Sequence, residues 1–503
     1  MTARTVPSSP GGTVVLSSDR KWASVLPTLT ATLAATALGA AVVLSSHPER
    51  LIAAATLVGI LIAVASVNPR TAIILTFAFL PVMALLRRAL IPVDDWTSHD
   101  PILLIAPAVG AFLAVRLFAL DQRPLFDDWL SKLVAALLAV AALEVLNPKG
   151  GGLAVGAGGL LLIGMPLVWF FVGRELVDRS LALALLGLMG AIAVAVAVYG
   201  LWQTQVGFTA WDTDWLNSVS QANGGLGALR IGDSIRPFGT LASPSEYLLL
   251  LGVGVVVCVA FAPRLRYLTL AALPILGAAL FLGSGRSALL LAALAVVVMI
   301  CLQLLRGRII VPISLAVLVT IGGLLLVRPV LNHTASDSNN SLVAHQAAGL
   351  GNPLTESDST LVVHARAFRT GVEDGVTHPL GLGTGSTTAA ADRLGGDSQQ
   401  NRIQVHHNGW VENIRGTDID VSNAFLALGI VGGVLYVVIV AAIAIRLLRG
   451  YATTRDPALL AMIGIGIALL GQWLTPGHYL LSSLFWLLLG WATVGANPIR
   501  SAP

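Results

Sequence analysis

Charge is what this chain has least of. Asp, Glu, Lys and Arg make up 11% of its 503 residues, against roughly 25% in a soluble domain. That scarcity excludes a water-soluble fold. The AVILMFWYC set fills 56% of positions and mean hydropathy is +0.83, more apolar surface than a soluble protein can hide. Cysteine is nearly absent. Cys258 and Cys301 both fall inside apolar runs, which argues against a disulfide framework or a cysteine-based metal site. The net charge of +4 comes from basic residues scattered along the chain, which is not the footprint of a nucleic-acid binder. No solenoid-length repeat is present, nor any similarity between the two halves.

Long apolar runs are what the sequence has in abundance. A helix needs about 20 apolar residues to cross the hydrocarbon core. Runs of this kind lie at 25–46, 51–67, 71–86, 101–120, 129–146, 152–173, 180–203, 241–262, 267–283, 286–305, 308–328, 423–445, 457–474 and 477–495. They predict an all-α polytopic membrane protein with about fourteen transmembrane helices. Residues 1–24 form a polar cytoplasmic tail, and 25–328 a bundle with an outer loop near 204–240. A large loop over 329–422 and C-terminal helices over 423–503, with a short cytoplasmic tail, complete the chain. Arg20 and Lys21 precede the first run, and no small-residue cleavage site follows it, as expected of an uncleaved signal anchor.

Lys and Arg set the expected orientation. With the N-terminus in the cytoplasm, cytoplasmic segments hold 17 basic residues and the short outer loops hold 5. Long loops do not count in the positive-inside rule. The opposite orientation would put the pairs Arg264/Arg266 and Arg306/Arg308 outside. Both termini are therefore expected in the cytoplasm and both long loops outside.

The polar residues at the outer helix ends are Arg87, Arg88, Glu144, Arg230, Arg236, Glu246, Arg286 and His478. Taken singly, such arginines usually snorkel to water and lipid phosphate. Two of them stand in motifs. In Arg236-Pro-Phe-Gly-Thr-Leu-Ala-Ser-Pro-Ser-Glu246 a Gly-Thr turn leads into a Ser-Pro helix start, a setting suited to phosphate. In Leu282-Gly-Ser-Gly-Arg-Ser-Ala288 a Gly-rich turn opens a helix with Arg286 in its first turn. Two such cationic helix starts suit a diphosphate, and Arg suits it better than Lys because its fork binds oxygens in pairs.

The large loop adds His378-Pro-Leu-Gly-Leu-Gly-Thr-Gly-Ser386, a weak likeness to a phosphate-cradling loop with no strand before it. Downstream come Val405-His-His-Asn408 and Ser422-Asn-Ala-Phe-Leu-Ala-Leu-Gly-Ile-Val-Gly-Gly433. His406 and His407 have the chemistry of a base near neutral pH; as exposed loop histidines they need no function. The carboxylate pairs Asp94-Asp95 and Asp212/Asp214 read as solvated loop charges, since they lack a ligand set.

In this order the motifs resemble the bacterial O-antigen ligase and O-antigen polymerase superfamily, over about residues 200–445. The resemblance implies an all-helical membrane fold of the GT-C kind in the bacterial plasma membrane. It implies transfer of a glycan from a polyprenyl-diphosphate carrier, such as undecaprenyl diphosphate, to an acceptor hydroxyl on the outer face. Neither metal nor other cofactor is implied; the acceptor is a glycan, lipid or protein. By position Arg236 and Arg286 would hold the diphosphate and His407 would help activate the acceptor. Arg230, Arg87, Arg88, Glu246, Asn408, Asn423 and Asp420 would contact substrate. One departure leaves the base open. The family's His-Asn lies closer to its Gly-Ile-x-Gly, where this chain has Ser422-Asn423. Either His407 rides on a longer loop, or Asn423 and Asp420 have taken its place.

A transporter or flippase for a lipid-linked or anionic substrate is the main alternative. Such proteins place ionisable groups near the midplane and use broken helices in repeats, features the sequence does not display. A scaffold without chemistry would leave the Arg-bearing helix starts unexplained. The topology is testable with an impermeant maleimide. Cysteines introduced at Ser386 and Thr453 are expected to label from opposite sides of the membrane, and labelling from one side would reject the orientation.

Overall fold

The computed structural model describes residues 47–97, 99–121, 126–223, 226, 229–305, 310–352, 360–387, 403–407, 410–414, 419–474 and 479–495. The run at 25–46 lies outside them. Among the described residues the chain is an all-α, multi-pass membrane protein. Ten helices are long and apolar enough to cross a bilayer. In chain order the first are α1 (Pro48–Val67), α2 (Pro69–Ala89), α3 (Pro101–Ala119), α4 (Trp129–Leu146), α5 (Leu153–Leu176) and α6 (Arg179–Gln205). A short α7 (Ala210–Asn223) and a hairpin of β1 (Arg230–Ile231) and β2 (Ser234–Ile235) fill the first long loop. Then come α8 (Pro244–Phe261), α9 (Arg266–Leu282), α10 (Arg286–Leu304) and α11 (Ile310–Asp337). The large loop carries α12 (Ser341–Gly351), α13 (Thr360–Thr377) and a hairpin of β3 (Ile403–His407) and β4 (Trp410–Ile414). The chain ends with α14 (Asp420–Thr454), α15 (Pro457–Ala468) and α16 (Tyr479–Gly495).

Side-chain caps mark many of the helix starts. Asn68, Asp128, Asp178, Ser243 and Asp456 each accept a backbone N–H from the first turn that follows. This satisfies backbone donors that the helix itself leaves unpaired. Away from the long loops, arginines tie the helix ends together. Arg174 binds Asp127 and Asp128 between α4 and α5, and Arg446 of α14 reaches Asp128 at 3.4 Å. Burial opposes the charge on Asp128, but Arg174 outweighs it and holds the carboxyl below its ordinary value. Arg179 forks onto Asp456, linking α6 to α15.

The sequence predicts one straight helix from 423 to 445; the structure has a break. Gly429 sits at φ 67°, ψ −166° inside α14, a conformation open essentially to glycine alone. The Tyr436 hydroxyl donates to Asp420 Oδ2 at 3.0 Å. In a straight helix those residues would be separated by about 24 Å along the axis. The first nine residues therefore fold back along the rest of α14. The break frees the carbonyls of Leu426 and Ala427, and both are satisfied from the large loop. Leu382 N–H donates to Leu426 O at 2.8 Å and Gly383 N–H to Ala427 O at 3.1 Å. In return Ile430 N–H donates to Pro379 O at 3.1 Å.

This folded-back segment meets two short helices. α15 has 12 residues, a length of about 18 Å, well short of a bilayer core. The chain that follows α15, described to Leu474, is tolerated beside a buried carboxylate only where its backbone finds partners. It does: Leu474 N–H donates to Asp420 Oδ2 at 2.8 Å, and Gly471 O accepts Asp420 N–H at 2.7 Å. Trp486 Nε1 donates to Trp473 O at 3.0 Å.

Gly429→Ala is expected to cost about 1–3 kcal/mol through backbone strain alone, before the overlap of its methyl with Pro379 O. Gly323→Ala, in open space on α11, should be near neutral. Melting temperatures of the two variants in detergent check this; equal values would remove the break from the fold. Ser386 is only 2% exposed, so the outer label in the topology test belongs instead on Asp233, whose side chain is fully exposed.

Candidate functional site

The two long loop segments pack on one another and on the helix ends beneath them, and the arginines there divide into two kinds. Arg87 and Arg88 are buried, 4% and 1% exposed, and do not snorkel. Arg87 Nε donates to Asp100 Oδ2 at 2.8 Å, an oxygen shared with Arg50 at 2.6 Å. Arg88 Nη1 donates to Asp212 Oδ1 at 2.6 Å, and its Nη2 to Gly239 O and Leu241 O at 2.9 and 3.3 Å. Phe238 stacks over it at 4.8 Å. Asp212 is buried and takes further donors from Tyr199 and Gln203. Gln203 Oε1 accepts the N–H groups of Phe238 and Gly239. These contacts make Arg88 and Asp212 the post to which the Phe238–Leu241 turn is fixed. Asp212 and Asp94 are not solvated loop charges: Asp94 is engaged by His47 at 2.5 Å and lies 3.7 Å from Arg50. The protein needs them because a buried guanidinium without a carboxylate costs several kcal/mol.

Arg236 and Arg286 are of the second kind. Their motifs are distant in sequence but meet at one turn, Gly283-Ser284-Gly285. Arg236 Nε donates to Gly283 O at 3.1 Å, and Arg286 opens α10 directly after Gly285. Ser284 holds a left-handed φ of 54°, a strained state for a non-glycine residue, and its hydroxyl donates to Leu342 O. Arg236 is half-buried, and burial pushes its guanidinium below its ordinary value. A cation already partly stripped of water gains more from an anion than one in bulk solvent.

Helix α12 closes over this turn. Arg286 Nη2 donates to His345 O at 3.1 Å and lies 3.2 Å from His345 Nδ1. The Arg286 guanidinium lies flat on Gly349, where any side chain would overlap it. Gln346 beside them is fully buried, and neither its Oε1 nor its Nε2 finds a hydrogen-bond partner, an uncommon cost for a protein to carry. The β1–β2 hairpin is pinned to the same helix through Ser341 Oγ, 3.0 Å from Ile231 O and 2.7 Å from Ser234 Oγ. Sequence reasoning missed His345 and Gln346. They carry no motif, and only the packing of α12 brings them to Arg286.

The other expected contacts are dispersed. Arg230 is exposed at the hairpin, its Nε on Gly232 O at 3.0 Å. Glu246 is 7% exposed at the start of α8, where its N–H donates to Ser243 Oγ and its carboxylate accepts from Ala242 N–H, so it serves as a helix cap. Asp420 and Asn423 line a small cavity of about 20 Å³ with Thr387, room for about one water. Asp420 also anchors the folded-back first nine residues of α14. His407 ends strand β3; Asn408 and His478 lie outside the described residues. The Pro-Leu-Gly-Leu-Gly-Thr-Gly-Ser run is not arranged as a phosphate cradle. It patches the break in α14 and packs on α5, Thr384 Oγ1 donating to Gly156 O at 2.7 Å.

The chain matches no family model and no curated protein. Roles must therefore be separated by variants. Arg88→Ala strands Asp212 as an unpaired buried charge, and is expected to cost about 3–5 kcal/mol. Arg286→Ala should melt much closer to wild type. Thermal unfolding in detergent checks the contrast; a wild-type melting temperature in Arg88→Ala would return that residue to the list of ligand contacts.

Proposed function

We propose that this protein is a metal-independent membrane glycosyltransferase of the O-antigen ligase or polysaccharide repeat-unit polymerase type. It moves a glycan from a polyprenyl-diphosphate donor to an acceptor hydroxyl at the outer face of the bacterial plasma membrane. In this reading the chain has about fourteen spans, both termini in the cytoplasm and a GT-C-like bundle. One observation carries most of the support: Arg236 and Arg286, from separate motifs, converge on the Gly283–Gly285 turn at the start of α10. A helix start with two guanidinium groups suits a diphosphate.

The chemistry asks little more of the protein. The acceptor oxygen forms its bond to the anomeric carbon as the bond from that carbon to the diphosphate oxygen breaks. The electron pair leaves on the diphosphate, whose developing charge the two arginines stabilise. The acceptor proton passes to a base, and the remaining work is orientation. His407 on its loop and Asp420 near Asn423 are the rival bases. Asp420 Oδ2 already holds two donors, so a base role for Asp420 would fall to its other oxygen.

The folded-back first nine residues of α14, with a carboxylate buried at their start, are the observation that favours the transporter reading. Broken helices with intramembrane acids are common in transporters. Here the break comes without a sequence repeat, and Asp420 is bonded to backbone and tyrosine rather than facing an open path.

Transfer by purified protein from a polyprenyl-diphosphate glycan distinguishes the readings. Arg236→Ala and Arg286→Ala are each expected to lower it at least tenfold, since a charge-assisted contact contributes about 1.5–3 kcal/mol and more when charge develops. Lys should rescue only partly, because it cannot fork. If His407 is the base, His407→Ala loses turnover while His406→Ala keeps it, and activity falls as pH drops through about 6.5. If Asp420 and Asn423 have that role, activity survives His407→Ala. Full activity in both arginine variants would sink the proposal.

A further inference from the structure

A second groove lies on the same loop face, between the end of α4 and the turn that follows α13. It encloses about 450 Å³, within the range of small-ligand sites. Its polar lining is Glu144, Asn147, Lys149, Thr377 and His378. Asn147 holds the two walls together: its Nδ2 donates to Glu144 Oε2 at 2.7 Å and to Gly381 O at 3.1 Å, across the groove. Its Oδ1 accepts the Lys149 N–H at 3.0 Å. The walls are thus fixed before any ligand arrives, which lowers the cost of binding.

We infer that this groove binds the neutral sugar headgroup of a glycolipid, and that it is the acceptor subsite; the second clause rests on the function proposed above. Two features argue for it. First, the charged groups balance. One carboxylate and one ammonium, with an imidazole and the Thr377 hydroxyl, leave no net charge to select an anion, yet they offer both acceptors and donors, as vicinal hydroxyls require. Second, the rim is apolar and uncovered. Leu143, Leu146 and Leu380 are 69%, 71% and 79% exposed. Leu143 and Leu146 stand where α4 ends, Leu380 lines the same groove from the turn after α13, and together they suit the alkyl part of an amphiphile. A soluble polysaccharide would have no use for that rim.

The test uses full-length protein in lipid nanodiscs and hexyl β-D-glucoside, read by saturation-transfer NMR with empty nanodiscs subtracted. The sugar-ring protons are expected to receive saturation from wild type, reduced at least fivefold in Glu144→Ala. Lys149→Ala, a change at an exposed site, should reduce it too and guards against a folding defect in the first variant. Hexyl phosphate should not compete. Saturation confined to the hexyl chain, competition by hexyl phosphate, or ring signals unchanged in both variants would each overturn the inference. Arg236→Ala separates it from the proposed reaction, since that variant should lose transfer and still bind the glucoside. A chain that binds the glucoside but transfers nothing from any donor would leave the groove standing and remove the enzyme. Active transfer with an empty groove would do the reverse.

Discussion

In hydrocarbon a backbone N–H or C=O without a partner costs several kcal/mol, and the architecture at the loop face follows from that constraint. α14 turns back at Gly429, so two of its carbonyls lose their helical donors. The chain segment at 379–383 supplies donors in their place. The same turn-back carries Asp420 to the junction of α15 and α16, where its carboxylate accepts a backbone N–H of a turn that water does not reach. α15 is too short to span alone, and the folded-back segment makes up part of the difference. One left-handed glycine thus couples the large loop, the C-terminal helices and the end of the bundle.

Charge is scarce in this protein, and most of what is buried is paired. Arg50, Arg87, Arg88 and Arg174 each hold a carboxylate within 2.8 Å. Such pairs add little net stability over apolar packing, but breaking one is costly, so they fix position. One of them, Arg88–Asp212, holds the first long loop against α2 and α6 and so holds the Phe238–Leu241 turn, a few residues from Arg236. Arg236 and Arg286 differ in kind. Backbone carbonyls and a histidine are among their partners.

The arrangement also explains why a glycine-rich run can look like a phosphate loop and not be one. Close approach of backbone to backbone and close approach of backbone to phosphate both demand residues without side chains. In this chain the run at 381–385 packs on Gly150, Val155 and Gly159 and on the broken helix. The groove that it borders, walled by Asn147 and Gly381, is a consequence of that packing.

Composition and periodicity alone determined the class of this protein. The apolar runs gave an all-helical membrane fold and the positions of the described apolar helices, though not the three helices of the long loops, because burial in hydrocarbon tolerates few alternatives. The start of α10 at Arg286 was legible too, since turn and cap chemistry is local, whereas Arg236 lies ahead of the Ser243 cap of α8 and meets the turn before α10 instead. What the sequence could not decide was which partners each arginine meets. Arg87 and Arg88 look like Arg236 and Arg286 along the chain; only the fold brings Asp100 and Asp212 to the first pair and α12 to the second. The turn-back at Gly429 was equally hidden, because an apolar helix with a glycine reads the same straight or folded. Such choices depend on partners that lie from 13 to 124 residues away in the chain, and a local pattern carries no information about them.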